Sequence, residues 1–177
     1  MTVSIFFFAG CGGSAATSDP ALSDAGSDGD AARVPTENDA GSDTSTTCSE
    51  IVNDAPEVVA HLVGTAPPVA TGGTISDGTY HLTDLSAFTG PNGASGPLEL
   101  KLRSTISVHG STIDIVQDAN GKHEWATETF VASSNAVTFT RTCPTAKSRT
   151  ANFSAGTSLV LFQQNDTGQT VTYTYER

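Results

Sequence analysis

From residue 48 onward, apolar and polar residues alternate in short runs rich in Val, Ile, Thr, Tyr and Phe, separated by Gly, Asn, Ser and Asp. Such alternation is typical of half-buried β-strands. No segment shows a sustained apolar period of 3.6 residues, so we expect no helix. The pattern predicts a leading strand at residues 57–63 and eight further strands, at 78–88, 98–108, 112–117, 123–132, 137–142, 149–154, 158–163 and 169–176.

Short turns join most of these strands. Gly110-Ser111 suits a type II′ hairpin, because glycine stands at the first central position, and Asn120-Gly121 is the strongest type I′ signal in the chain. An eight-stranded antiparallel meander has two edges, and closing it into a barrel removes them. The sequence therefore predicts an all-β domain over residues 48–177, an antiparallel up-and-down eight-stranded barrel.

Residues 1–11, MTVSIFFFAGC, have a different pattern. The apolar run at 3–9 is long enough for the core of an export signal and too short to span a bilayer. Small residues Ala9 and Gly10 precede Cys11, which resembles the bacterial lipobox, although a basic leading region is missing. The resemblance implies a lipid anchor at Cys11 and a place in the cell envelope, in the outer membrane or at the cell surface. The alternative is a hydrophobic N-terminus with a structural cysteine.

Residues 12–47 consist almost wholly of Gly, Ser, Ala, Asp and Thr. Such a segment cannot bury enough apolar surface to offset the entropy of ordering it, so we expect a disordered linker. A flexible coil of this length reaches about 30–36 Å, which would hold the following domain clear of a membrane surface.

The net charge and the number of cysteines limit the classes of function that the chain can have. The chain carries 19 acidic and 8 basic residues, a net charge of −11, which argues against nucleic-acid binding. Three cysteines are present, at positions 11, 48 and 143. If Cys11 carries lipid, Cys48 and Cys143 remain to pair in an oxidising compartment, so we expect a disulfide between them.

Positions 77–82, DGTYHL, resemble the Gly-x-Trp opening of the lipocalin and fatty-acid-binding barrels, with Tyr80 in place of Trp. The resemblance covers roughly residues 74–177 at the level of strand order. It implies a binder of small apolar molecules in which Tyr80 closes one end of the barrel. A fold shared by many functions does not by itself fix one of them.

The hairpin turns set a register. Gly110-Ser111 pairs Ile106 with Ile115, and Asn120-Gly121 pairs Ile113 with Glu128. A two-residue loop at 134–135 would set Phe130 opposite Phe139 and Glu128 opposite Arg141. A three-residue loop at 133–135 would set Thr127 opposite Arg141 instead, and two exposed charges on a solvated face are the third alternative.

If the barrel binds a ligand, the first register gives it an apolar wall, with Arg141 to meet a carboxylate and Glu128 to hold Arg141 when the site is empty. The predicted ligand-binding residues are Tyr80, Leu100, Leu102, Ile113, Ile115, Glu128, Phe130, Phe139 and Arg141.

The sequence lacks recognisable catalytic and metal-binding motifs. The four histidines lack metal-ligand spacing, and the sequence has no Gly-x-Ser-x-Gly or Ser-x-x-Lys motif. We therefore expect no enzyme, no metal and no cofactor. The leading interpretation is a surface-displayed lipocalin-like barrel that holds a small apolar or amphipathic molecule. The alternative is a packed barrel that recognises a protein or glycan through its loops, and the oligomeric state is not predicted.

Overall fold

A computed structural model describes Cys48 and residues 51–177, so the predicted export signal, Cys11 and the linker at 12–47 lie outside the described residues. The described chain forms nine strands, and each end lies within two residues of its predicted position. They are β1 (Val58–Val63), β2 (Gly78–Phe88), β3 (Gly96–His109), β4 (Thr112–Ala119), β5 (Lys122–Ser133), β6 (Ala136–Cys143), β7 (Lys147–Ala155), β8 (Ser158–Gln164) and β9 (Thr170–Glu176).

The strands close into a ring. From β2 to β9 each strand pairs antiparallel with the next, and β9 returns to pair with β2 from His81↔Glu176 to Ala87↔Val171. The all-β, antiparallel prediction is confirmed, and the hydrogen-bonded ring leaves neither β2 nor β9 as an open edge.

The leading strand departs from the predicted eight-stranded meander, because β1 is a member of the ring. Direct pairing of β2 with β3 is confined to residues 78–81 and 105–108. Beyond that point β1 lies between them, parallel to β2 at residues 61–63 and antiparallel to β3 at residues 58–62. Where β2 and β3 diverge, β1 covers edges that would otherwise stay unpaired.

Turn chemistry fixes the registers of the central hairpins. Asn120 and Gly121 both have positive φ, as a type I′ turn requires, and Ser134 supplies the positive φ of the two-residue turn at 134–135. The pairs Ile106↔Ile115, Ile113↔Glu128 and Glu128↔Arg141 follow, so the predicted two-residue register is confirmed. The three-residue alternative was wrong, because Arg141 lies opposite Glu128 and not opposite Thr127. A β-bulge next to this pair sets Thr127 opposite Cys143.

Alternation directs one set of side chains into the ring, where they form a single core. The largest fully buried side chains include Phe139, Phe153, Leu82 and Leu85. Each contributes roughly 1.5–3 kcal/mol relative to exposure. Some members of this core, such as Leu102, Ile115 and Leu161, also border a space inside the ring.

The two ends of the ring differ. At the first, the strap end, turns 110–111, 134–135 and 156–157 meet, and the segment 70–73, here called the strap, lies against β7. Its Gly72 donates a backbone hydrogen bond to Phe153 O at 2.8 Å and accepts one from Ala155 N at 2.8 Å. At the second, the open end, lie the turn 120–121 and the loops 144–146 and 165–169.

The predicted disulfide is confirmed at the open end. Cys48 and Cys143 are bonded, with their Cα atoms 5.3 Å apart. The bond ties the chain before β1 to the last residue of β6. Residues 51–56 then cross the outer face of the ring, where Ala55 N donates to Thr105 Oγ1 at 3.3 Å.

Candidate functional site

A cavity of about 260 Å³ lies inside the ring on the side of the open end. Its floor is apolar and its mouth carries amide, hydroxyl and cationic groups. The lining residues are Leu102, Ile106, Ile113, Ile115, Gln117, Lys147, Arg149, Thr150, Leu161, Gln163, Gln164, Tyr173 and Tyr175.

The cavity reaches solvent through the wall of the ring. Among the described strands, the pairing of β7 with β8 is confined to residues 152–155 and 159–162. Thr150 on β7 and Gln164 on β8 lie beyond that pairing, and both are exposed and line the cavity. We call this divergence of β7 and β8 the seam. It separates two strands that continue to pair with β6 and β9 on their other sides.

A buried charge cluster lies beside the cavity. Glu128 is 1% exposed, and its carboxylate accepts from Arg141 Nε at 3.4 Å and from Arg149 Nη2 at 2.9 Å. The guanidinium carbon of Arg149 lies 4.2 Å from the centroid of the Phe139 ring, within the range of a cation–π contact. A buried carboxylate needs such partners, because burial alone strongly disfavours its charge. The cluster fixes the position of Arg149, which lines the cavity.

Two tyrosines form the opposite wall. Burial raises the pKa of Tyr173, with neighbouring Tyr175 adding to the effect. Burial likewise raises the pKa of Tyr175, whose hydroxyl shares a hydrogen bond of 3.3 Å with Ser104. Both phenols therefore stay neutral and can donate a hydrogen bond at physiological pH.

No protein family, curated protein or solved structure matches the chain. Within residues 48 and 51–177 no helix has the length and apolarity to cross a membrane. The same residues hold no group of three or more His, Cys, Asp or Glu side chains placed to bind a metal ion. What this protein binds has to be inferred from its own residues.

Three of the predicted ligand-binding residues, Leu102, Ile113 and Ile115, line the cavity. The others are placed elsewhere. Tyr80 lies at the strap end, where its hydroxyl donates to Ser76 O at 2.7 Å and Arg177 lies over its ring. The remaining five residues either pack against the core or belong to the charge cluster; they are Leu100, Phe130, Glu128, Phe139 and Arg141.

Arg149 is one of the cavity-lining residues that the sequence analysis did not predict. It lies opposite Phe139 in the β6–β7 pair, so alternation places it on the inner face. The loop between these strands contains Pro144 and has no turn type that fixes a register, so its length alone did not specify this pairing. The inward positions of Gln163, Tyr173 and Tyr175 had a clearer signal, since they continue the alternation of Leu159 and Leu161 and of Val171.

Proposed function

We propose that the ring is a lipocalin-like barrel that binds one small amphipathic molecule. The apolar part of the ligand would contact Leu102, Ile115 and Leu161, and its polar end would meet Arg149 and Lys147 at the seam. The observation that carries the proposal is the cavity itself, which has an apolar floor and a few convergent polar groups at its mouth. This combination is typical of small-molecule sites.

The volume limits the size of the ligand. Small-molecule pockets usually measure roughly 300–1,000 Å³, and this cavity of about 260 Å³ falls just below that range. Small eight-stranded barrels are either filled by side chains or hold one small ligand. A medium-length chain, such as an eight-carbon acid, suits the space better than a long-chain fatty acid.

The polar end of the ligand is inferred from charge and hydrogen bonding. Arg149 is held in place by Glu128 and Phe139, and a guanidinium binds carboxylates with favourable geometry. Lys147 adds a second positive charge at the mouth. In this arrangement Arg149 takes the role that the sequence suggested for Arg141, which lies deeper, against Glu128.

The cellular setting is also a proposal. The lipobox-like residues before Cys11 and the linker at 12–47 support a lipid-anchored protein of the cell envelope. The disulfide between Cys48 and Cys143 adds support, because such bonds persist in oxidising compartments. In this setting the domain would present the cavity to the extracytoplasmic space.

A packed interaction module is the second candidate. It is favoured by the half of the ring next to the strap end, where Tyr80, Val108, Phe139 and Phe153 are buried together. In that case the cavity would be a packing gap beneath the open-end loops, and recognition would occur outside the ring.

Isothermal titration of the full chain with octanoate and with octanol separates the two candidates. We expect both to bind, and we expect Leu161→Trp, which fills the cavity, to abolish binding of both. Val131→Trp, on an exposed position of β5, is the matched control and should bind normally. Arg149→Gln should weaken octanoate by about tenfold, the loss of one charged contact, and leave octanol unchanged. If neither probe binds and no small molecule copurifies in native mass spectrometry, the packed module is the better interpretation.

A further inference from the structure

Trp125 is the chain's single tryptophan, and it is 45% exposed on the outer face of β5. It lies opposite Val116 of β4, and its ring centroid is 5.5 Å from that of His123. Tryptophan is a large apolar side chain that is buried on average, and exposed examples are enriched at binding surfaces. The cavity does not use this side chain, since it points to the other face of the strand.

The polar groups next to Trp125 are held in fixed positions. Asp118 accepts hydrogen bonds from His123 Nδ1 at 2.6 Å and from Asn53 Nδ2 at 2.5 Å. Asn53 Oδ1 in turn accepts from Thr105 Oγ1 at 3.1 Å. In the tautomer that donates Nδ1–H to Asp118, the half-exposed imidazole of His123 has Nε2 as an acceptor. These groups would lose little conformational freedom on binding a ligand.

A shallow groove adjoins this patch and shares Asp118 with it. Its other side chains are Glu57, Lys101, Arg103 and Asn120. Lys101 Nζ and Glu57 Oε1 form an ion pair of 2.8 Å, and that hydrogen bond lowers the pKa of the Glu57 carboxyl. Two carboxylates therefore face two cations, so the groove has no net charge and offers both donors and acceptors.

We propose that Trp125 and this groove bind a neutral saccharide, of the kind whose ring substituents are all equatorial. Such a pyranose presents a flat face of C–H groups that can lie on an indole, while its hydroxyls donate and accept at the rim. Asp118 and His123 would receive hydroxyl protons beside the stacked sugar, and Arg103 would donate to a neighbouring ring.

The surroundings favour a sugar over a protein partner. A stable protein interface buries about 800 Å² on each side around an apolar centre that is depleted in charge. Here His123 lies beside Trp125 and is bonded to Asp118, and Arg103 lies in the adjoining groove. These polar groups suit a ligand covered in hydroxyls. This site is on the outer face, so it stands whether or not the cavity holds a ligand.

The test uses the full chain with two probes, cellotetraose and tetra-N-acetylchitotetraose. Because Trp125 is the single tryptophan, its fluorescence reports occupancy of this site directly, and calorimetry gives the affinity. We expect at least one probe to shift the emission and bind with a millimolar or tighter Kd. Trp125→Ala should abolish the heat of binding, Trp125→Phe should retain part of the affinity, and His123→Ala should weaken it by about tenfold, as one lost contact does.

Val131→Ala is the matched control, since it removes another exposed apolar side chain of β5 and should leave binding unchanged. Thermal melting of each variant shows whether the fold survives, and Trp125→Phe with His123→Ala keep the test informative if Trp125→Ala does not fold. Unchanged tryptophan emission with both probes would overturn the proposal. Binding that persists in Trp125→Ala would also overturn it, as would a protein partner that depends on Trp125 in place of either sugar.

Discussion

The strap end and the open end of the ring are closed by different means. At the strap end, backbone hydrogen bonds join Gly72 to β7, and a side chain at this position would collide with neighbouring backbone. At the open end a disulfide holds Cys48 against the end of β6, and β7 and β8 separate. Backbone hydrogen bonds form only where two chain segments touch, so they leave little space between the segments. A disulfide can hold a segment in place while leaving space beside it. The cavity lies on the side of the open end, where the disulfide is found.

Removing the disulfide should have the largest effect on stability. The bond closes a loop with a sequence separation of 95 residues, and chain-entropy arguments for such loops give about 4 kcal/mol. We expect Cys48→Ser combined with Cys143→Ser to lower the free energy of unfolding by that order, measured by urea denaturation of the full chain. Cys11→Ser is the matched control and should leave it unchanged. A loss below about 1 kcal/mol would show that noncovalent contacts alone hold the open end.

Substitutions in the charge cluster of Glu128, Arg141 and Arg149 should have the next largest effect on stability. Glu128→Ala removes the carboxylate that the buried Arg141 and the partly buried Arg149 share, and breaking a buried pair in this way costs about 3–4 kcal/mol. Arg141→Ala should cost less, about 2 kcal/mol, because Arg149 still lies 2.9 Å from the carboxylate. Urea denaturation of both variants measures the difference. Equal losses would mean that Arg141 is the principal partner of Glu128 and that the contact between Arg149 and this carboxylate adds little to stability.

The strap can be broken with one methyl group. Gly72 has φ of +73°, and a Cβ there would lie 2.1 Å from Ser134 O. We expect Gly72→Ala to cost about 3 kcal/mol, from the left-handed backbone and the collision together. Gly110→Ala is the matched control, because its φ of +60° is similar and its Cβ would meet nothing within 4 Å; it should cost about 1 kcal/mol. Similar thermal melts for the two variants would show that the strap moves aside easily.

The same contrast explains how much the sequence could predict. Two-residue turns such as Asn120-Gly121 fix register through local chemistry, so the Ile113–Glu128 pair was predictable. The Glu128–Arg141 pair was one of three alternatives that the loop at 133–135 left open. Insertion of β1 beside β2 depends on a parallel pairing between distant segments, which no local pattern specifies. The seam and the inward position of Arg149 arise where the loop after Cys143 leaves the register open and β7 diverges from β8. Sequence reasoning therefore succeeded for the hairpins and failed at the cavity's mouth.

The smallest predicted effect tests how far solvent penetrates from the open end. Tyrosine in an unfolded chain ionises near pH 10, and burial raises the pKa of Tyr173 and Tyr175 in the folded protein. Above about pH 10 the tyrosines of the unfolded state lose protons that the folded state retains. The folded protein therefore has its full stability with respect to these two groups below this pH, and its free energy of unfolding falls as the pH rises above it. Each tyrosine should remove about 1.4 kcal/mol per pH unit until its folded pKa is reached. Urea denaturation between about pH 9 and 11 measures the slope of the free energy of unfolding against pH. The double variant Tyr173→Phe, Tyr175→Phe should reduce this slope by the contribution of both groups.

If the double variant has the same slope as the natural chain, both hydroxyls ionise as readily in the folded protein as in the unfolded one. Water would then reach past the seam to the wall of the cavity, and the apolar floor would be shallower than the ring suggests.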